Sequence, residues 1–195
     1  MDDPIVITGV GLVTAVGRDR ESSWRSVKLG RNGVRQLCDV PGLPDGLLLA
    51  ATVEDVAPDD RGDRSYPIAA SAASEAIHDS QLDLDDCDLT RFGSSTSTCG
   101  GATPWLADEI RRRHRLTYPV AWWDNMYLAS PMARVTDDLG LQGPRMCNST
   151  ACATGTIAAL NAEYQKLEAE YEGADELPDE VDQRLGEIET ALSAF

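Results

Sequence analysis

An α/β fold is predicted by three observations. Short β-branched or small-residue runs read as strands, these alternate with amphipathic helical stretches, and Gly or Pro marks nearly every junction between them. The expected architecture is a mixed sheet with packed helices over residues 1–160, followed by an acidic α-helical hairpin over residues 161–195. A chain of 195 residues that is 42% apolar and 26% charged is long enough to bury a core of its own.

The elements follow in order. Pro4–Val10 (PIVITGV) is a β-branched run closed by glycine and predicts a buried strand. Glu21–Leu29 sets Trp24 and Val27 at helical spacing and stops at Gly30, a residue suited to the end of a helix. Residues 31–64 are rich in Gly, Pro and Asp and predict an irregular excursion with one strand at Leu47–Val53. Pro67–Ser80 predicts an Ala-rich helix with Ile68, Ala72, Ala76 and Ile77 on one face, where small side chains permit close packing. Arg91–Thr98 predicts a second buried strand opening into Cys99-Gly-Gly. Trp105–Arg115 and Met126–Leu139 predict two further helices, and Arg145–Ala151 a strand running into Cys152.

Charge separates the last segment from the rest. Residues 161–195 hold eleven Asp/Glu against two Lys/Arg, whereas residues 1–160 hold twenty-two against fifteen. Leu160, Tyr164, Leu167 and Tyr171 repeat at helical spacing, and Gly173–Asp175 breaks the run. Leu177, Val181, Leu185, Ile188, Leu192 and Phe195 repeat again after Pro178, which suits a first-turn position. A net charge of −16 argues against nucleic-acid phosphate or an anionic membrane as a direct partner. The start MDDPIVITGV lacks the basic and apolar regions of a signal peptide, and no run reaches the roughly 18 apolar residues of a membrane span. The protein is expected to be soluble and cytoplasmic.

Five cysteines (Cys38, Cys87, Cys99, Cys147 and Cys152) form an odd set without a Cys-x-x-Cys pair, and the two histidines, His78 and His114, stand far from all of them in sequence. Reduced thiols are expected rather than a disulfide framework or a zinc site, with no metal and no cofactor. Both histidines read as helix-surface residues. Gly9-Val10-Gly11 lacks the third glycine of a dinucleotide fingerprint, since Thr14 stands in its place, and it reads as a structural turn. A hydrolase elbow would need glycines where Thr150 and Thr154 stand. Arg61-Gly62-Asp63 reads as a chance tripeptide, and Arg111–Arg113 with Arg115 as a solvated basic helix face.

The stretch Ser149-Thr150-Ala151-Cys152-Ala153-Thr154-Gly155 carries the chemistry. It falls where a strand should become a helix, and small neighbours allow a sharp turn that leaves the cysteine uncovered. Unpaired N–H groups at a helix start stabilise a thiolate and an oxyanion. The plainer alternative is that Cys152 is a small buried residue at a strand–helix junction.

Several places in register resemble the β-ketoacyl synthases of the thiolase superfamily. Val6–Gly17 (VITGVGLVTAVG) is similar to the family's opening strand and loop, and Trp24 with Gly30–Gly33 to its first helix and turn. Arg91–Gly101 is similar to its glycine-rich strand end, and Leu139–Pro144 followed by Thr150-Ala151-Cys152 to its nucleophile approach. The resemblance covers about residues 4–160. It implies the N-terminal half of a thiolase-like fold, an acyl thioester on Cys152, acyl carrier protein as the partner that delivers acyl and malonyl groups, and a homodimer. It also implies two histidines, supported by a lysine, from a second half that follows the cysteine. Neither His78 nor His114 matches them, so this chain alone is expected to lack full condensing activity. Asn161–Phe195 resembles a helical segment of plasmid-partitioning ParB-like proteins instead, which makes the tail a foreign extension. The alternative is a non-catalytic helical interaction protein or an inactive fusion fragment.

Overall fold

The computed structural model describes residues 6–38, 48–59, 64–96, 130–147, 153–174 and 176–194. Within them the chain divides into two compact units, residues 6–87 and the described residues from 88 onward.

In the first unit, helix α1 spans Arg20–Lys28, strands β1 and β2 span Val34–Gln36 and Leu49–Ala51, and helix α2 spans Ser65–Ser80. Helix α1 starts where its sequence allows. The Asp19 carboxylate accepts from the Ser22 N–H (2.6 Å), and the Ser22 hydroxyl accepts in return from the Asp19 N–H (3.3 Å), a reciprocal capping box. Gly30, just past the helix, takes a left-handed φ of 65°. The inward face of α1 is small and polar. Ser23 and Ser26 are buried, and Ser23 lies within hydrogen-bond distance of the Thr14 hydroxyl (3.0 Å), so Trp24 and Val27 point outward.

Two sequence expectations change here. Residues 6–10 of the expected strand Pro4–Val10 join no ladder, and Ile7 is 87% exposed; residues 4 and 5 lie outside the described residues. The physical reason is a competing set of acceptors. The Val10 N–H donates to the Asp79 carboxylate (3.0 Å) and the Leu12 N–H to Glu75 (2.9 Å), so side chains of α2 take the donors that a neighbouring strand would have used. The backbone lies so close to α2 that a Cβ at Gly9 would collide with the Ala76 carbonyl, and one at Gly11 with that of Ala72. The two glycines and the small alanine face are thus one packing device. The described residues of the 31–64 stretch contain two strands rather than one. β1 pairs antiparallel with β2, Val34 facing Ala51 and Gln36 facing Leu49, and the Leu37 N–H donates to the Leu48 carbonyl (2.9 Å). Three-residue strands carry too little pattern for β1 to stand out among glycines.

The first unit ends with a 3-10 turn at Leu84–Asp86. The second unit holds strand β3 (Ser94–Thr96), helix α3 (Ser130–Asp138), strand β4 (Arg145–Cys147), helix α4 (Thr154–Glu170) and helix α5 (Asp179–Ser193). β3 and β4 are parallel, with Ser94 facing Arg145 and Thr96 facing Cys147. Pro178 stands at the residue before α5. The expected helix Trp105–Arg115 lies outside the described residues, as do residues 126–129 of the helix expected at Met126–Leu139. Helices α4 and α5 pack on each other, and the apolar repeats decide how. Ile188 is fully buried, Val181, Leu185 and Leu192 are half-buried, and Ile157 of α4 is buried as well. Arg184 of α5 clasps Glu163 of α4 through two bonds of 2.6 and 2.8 Å. No helix among the described residues is long and apolar enough to cross a membrane.

Candidate active site

The parallel pair β3–β4 precedes the segment of the sequence that carries Cys152. Gly93 and Gly143 face one another where the strands converge: a Cβ at Gly93 would strike the Pro144 carbonyl, and one at Gly143 the Phe92 backbone. Backbone bonds zip the junction, from Gln142 to Leu89 (2.8 Å), Gly143 to Phe92 (3.1 Å) and Ser94 to Pro144 (2.8 Å). Helix α3 is tied to the same pair. The Thr136 hydroxyl, buried, donates to the Ser94 hydroxyl (3.0 Å), and Arg145 reaches the Asp137 carboxylate (2.6 Å) and the Leu141 carbonyl (2.8 Å). Leu141, 4% exposed, anchors the turn between α3 and β4. The sequence Leu139–Pro144 therefore sets the direction in which β4 leaves. One group in this pair is unsatisfied: the buried Ser95 hydroxyl has no hydrogen-bond partner among the described residues.

β4 ends at Cys147 and α4 begins at Thr154. Cys152 lies between them, in residues 148–152, which are outside the described residues. Position 153, at the head of α4, supplies no side-chain cap. A helix start of this kind presents backbone N–H groups and the positive end of the helix dipole, the environment that stabilises an anion.

Other reactive groups are dispersed. Cys38 and Cys147 are exposed free thiols and Cys87 is a half-buried one, while Cys99 lies outside the described residues. His78 is exposed in the last turn of α2, and His114 lies outside the described residues. Among the described residues, no group of three or more His, Cys, Asp or Glu side chains is arranged to hold a metal ion.

Residues 2–172 match the family model described as the N-terminal domain of β-ketoacyl synthase. The chain belongs to the β-ketoacyl synthase family. Among its relatives, the 3-oxoacyl-[acyl-carrier-protein] synthase 2 of Staphylococcus aureus strain N315 is 32% identical over 169 residues, covering 78% of this chain and 39% of the relative. The enzyme of the same name from Synechocystis is 26% identical over 169 residues, covering 81% and 41%. A crystal structure of a β-ketoacyl synthase from Burkholderia phymatum STM815 superposes with a TM-score of 0.62 at 23% identity, over 89% of this chain and 47% of that one. The fold is thus the thiolase-like α/β fold of β-ketoacyl synthases, and the chain spans about two fifths of the length of the curated relatives it matches. Helix α4 of this β-ketoacyl synthase domain runs unbroken across Leu160 to Glu170, and the family match continues to residue 172.

Sequence reasoning passed over one feature of this unit. Asn161 is only 8% exposed and lines a groove of about 340 Å³ between β4, α4 and α5. Its position four residues after the buried Ile157, one helical turn on, was the available signal.

Proposed function

We propose that Cys152 is the nucleophile of an acyltransfer reaction of the β-ketoacyl synthase type, taking an acyl group from an acyl carrier protein as a thioester. The single observation that supports this reading is the parallel pair β3–β4 with its glycine-fitted junction, because β4 and α4 flank in sequence the segment that carries Cys152. The names of the relatives, 3-oxoacyl-[acyl-carrier-protein] synthases, supply the carrier. In the transfer, the thiolate sulfur attacks the thioester carbonyl and the carrier's thiol leaves, taking up the proton that the cysteine gave up. The N–H groups at the start of α4 favour both the thiolate and the tetrahedral oxyanion. In fatty-acid or polyketide synthesis the acyl-cysteine would then condense with a malonyl group. Residues 161–195 act in this reading as an acidic helical extension whose second helix packs on α4. Dimerisation and a cytoplasmic location complete the proposal.

The test is acyl transfer from radiolabelled acyl carrier protein, with cerulenin as competitor. Label on the parent and on Cys147→Ala, absent from Cys152→Ala and blocked by cerulenin, is the expected result. Label that persists in Cys152→Ala, or that distributes evenly over the thiols, would overturn it.

A further inference from the structure

Helix α1 turns an apolar and basic face outward. Trp24 is 55% exposed, Val27 and Leu29 are more so, and Arg25, Lys28 and Arg31 stand exposed among them. The Lys28 ammonium lies over the Trp24 ring, 5.7 Å from its centre, which holds an apolar and a cationic group in one patch. The helix carries a single carboxylate, Glu21, and Arg25 lies 3.6 Å from it. Residues 18–35 hold six Lys/Arg against two Asp/Glu, a basic island in a chain of net charge −16. The residues that α1 buries are Ser23 and Ser26, on the other side of the helix.

The opposite composition stands at the connection between α4 and α5. Residues 168–182 hold eight Asp/Glu and no Lys/Arg, and all of these carboxylates among the described residues are exposed. Leu177, outside both helices, is an exposed apolar group in their midst. A leucine among carboxylates complements a tryptophan among cations. We propose that the outward face of α1 docks the α4–α5 connection of a second copy of this chain. Leu177 of one copy packs on Trp24 and Val27 of the other, and Glu176, Asp179 and Glu180 meet Arg25, Lys28 and Arg31. Two copies of net charge −16 repel one another except where patches of opposite sign meet, so charge selects this register over others. Two different patches meet, so each copy keeps one of either kind free, and association extends further or closes into a ring. The contact does not depend on the acyltransfer reading, and either can fail without the other.

The experiment is sedimentation velocity of the full chain. Expected is a sedimentation coefficient that climbs with protein concentration at low salt and falls toward the monomer value at high salt. Trp24→Ala with Lys28→Ala disables the face, and Leu177→Ala with Glu180→Gln disables the connection; each pair should weaken association about tenfold or more. All four side chains are exposed, so both variants keep their fold. Mixed, the two variants should form a one-to-one dimer and nothing larger, because one intact connection and one intact face remain between them. A parent chain that stays monomeric at every concentration, association indifferent to both variants, or a mixture that forms no dimer would overturn the proposal.

Discussion

Ile188 is the largest fully buried side chain among the described residues, and it sits on the face of α5 that packs against α4. Ile188→Ala removes three carbon groups from a site with 0% exposure. At about 0.8 kcal/mol per buried carbon the transfer part is about 2.4 kcal/mol, and the residual cavity raises the expected loss to about 3 kcal/mol. Leu177 stands in the same apolar repeat one turn before Val181 but is 37% exposed, so Leu177→Ala should lose much less, about 1 kcal/mol. Native-state hydrogen exchange on the amides of Asp179–Ser193 reads the two losses directly as changes in the opening free energy of α5. If Ile188→Ala and Leu177→Ala weakened α5 equally, or if Ile188→Ala changed it by less than about 1 kcal/mol, the packing of α5 on α4 as the source of its stability would be refuted.

Four further outcomes are expected. Ser95→Ala removes a buried hydroxyl that has no partner among the described residues, and should leave stability unchanged or raise it by about 1 kcal/mol in urea unfolding, where a partnered serine would lose that much. Gly11→Ala drives a Cβ into the Ala72 carbonyl and should destabilise the first unit by about 1–3 kcal/mol in the same assay. Arg184→Met breaks the fork to Glu163, whose carboxyl that arginine holds below its ordinary range; both side chains are partly exposed, so about 0.5–1 kcal/mol should be lost at low salt and less at high salt. The Asp79 carboxyl is held below its ordinary range first by the Val10 N–H and then by Arg20. Its folded value lies below its unfolded one, so its contribution is present above about pH 4 and lost as pH falls through the folded value. Asp79→Asn should therefore be less stable than the parent at pH 7 and converge with it in acid, and a difference constant with pH would count against the contact.

The Asp79 and Gly11 predictions also show where sequence reading reached its limit. PIVITGV has the composition of a buried strand, but a strand exists only with partners, and the N–H groups of Val10 and Leu12 are taken by carboxylates of α2. The small face of Pro67–Ser80 was legible, and so was its use for close packing; that the packed partner is the Gly9–Gly11 backbone depends on contacts more than 60 residues apart. β1 escaped notice because three residues carry no usable period, and it is defined only by its register with β2. The helical repeats of the tail were legible where they fall inside helices, Leu160, Tyr164 and Leu167 in α4 and Val181, Leu185, Ile188 and Leu192 in α5, whereas Tyr171 and Leu177 stand outside both and position 195 lies outside the described residues.

Sequence by itself determined the family, the succession of β3, α3, β4 and α4, and the uneven charge, because these are properties of local pattern and of residues in register along one chain. Tertiary structure decided which apolar groups are buried. Trp24, at helical spacing like any core residue, faces outward while Ser23 and Ser26 face in, and among the described residues of its stripe Ile188 alone is wholly enclosed. It also decided that the buried Asn161 lines a groove between β4, α4 and α5, and that Gly93 and Gly143 fit against each other's strand. Burial and bonding depend on what another segment brings to the same point in space, and a linear pattern fixes only which side of an element is offered.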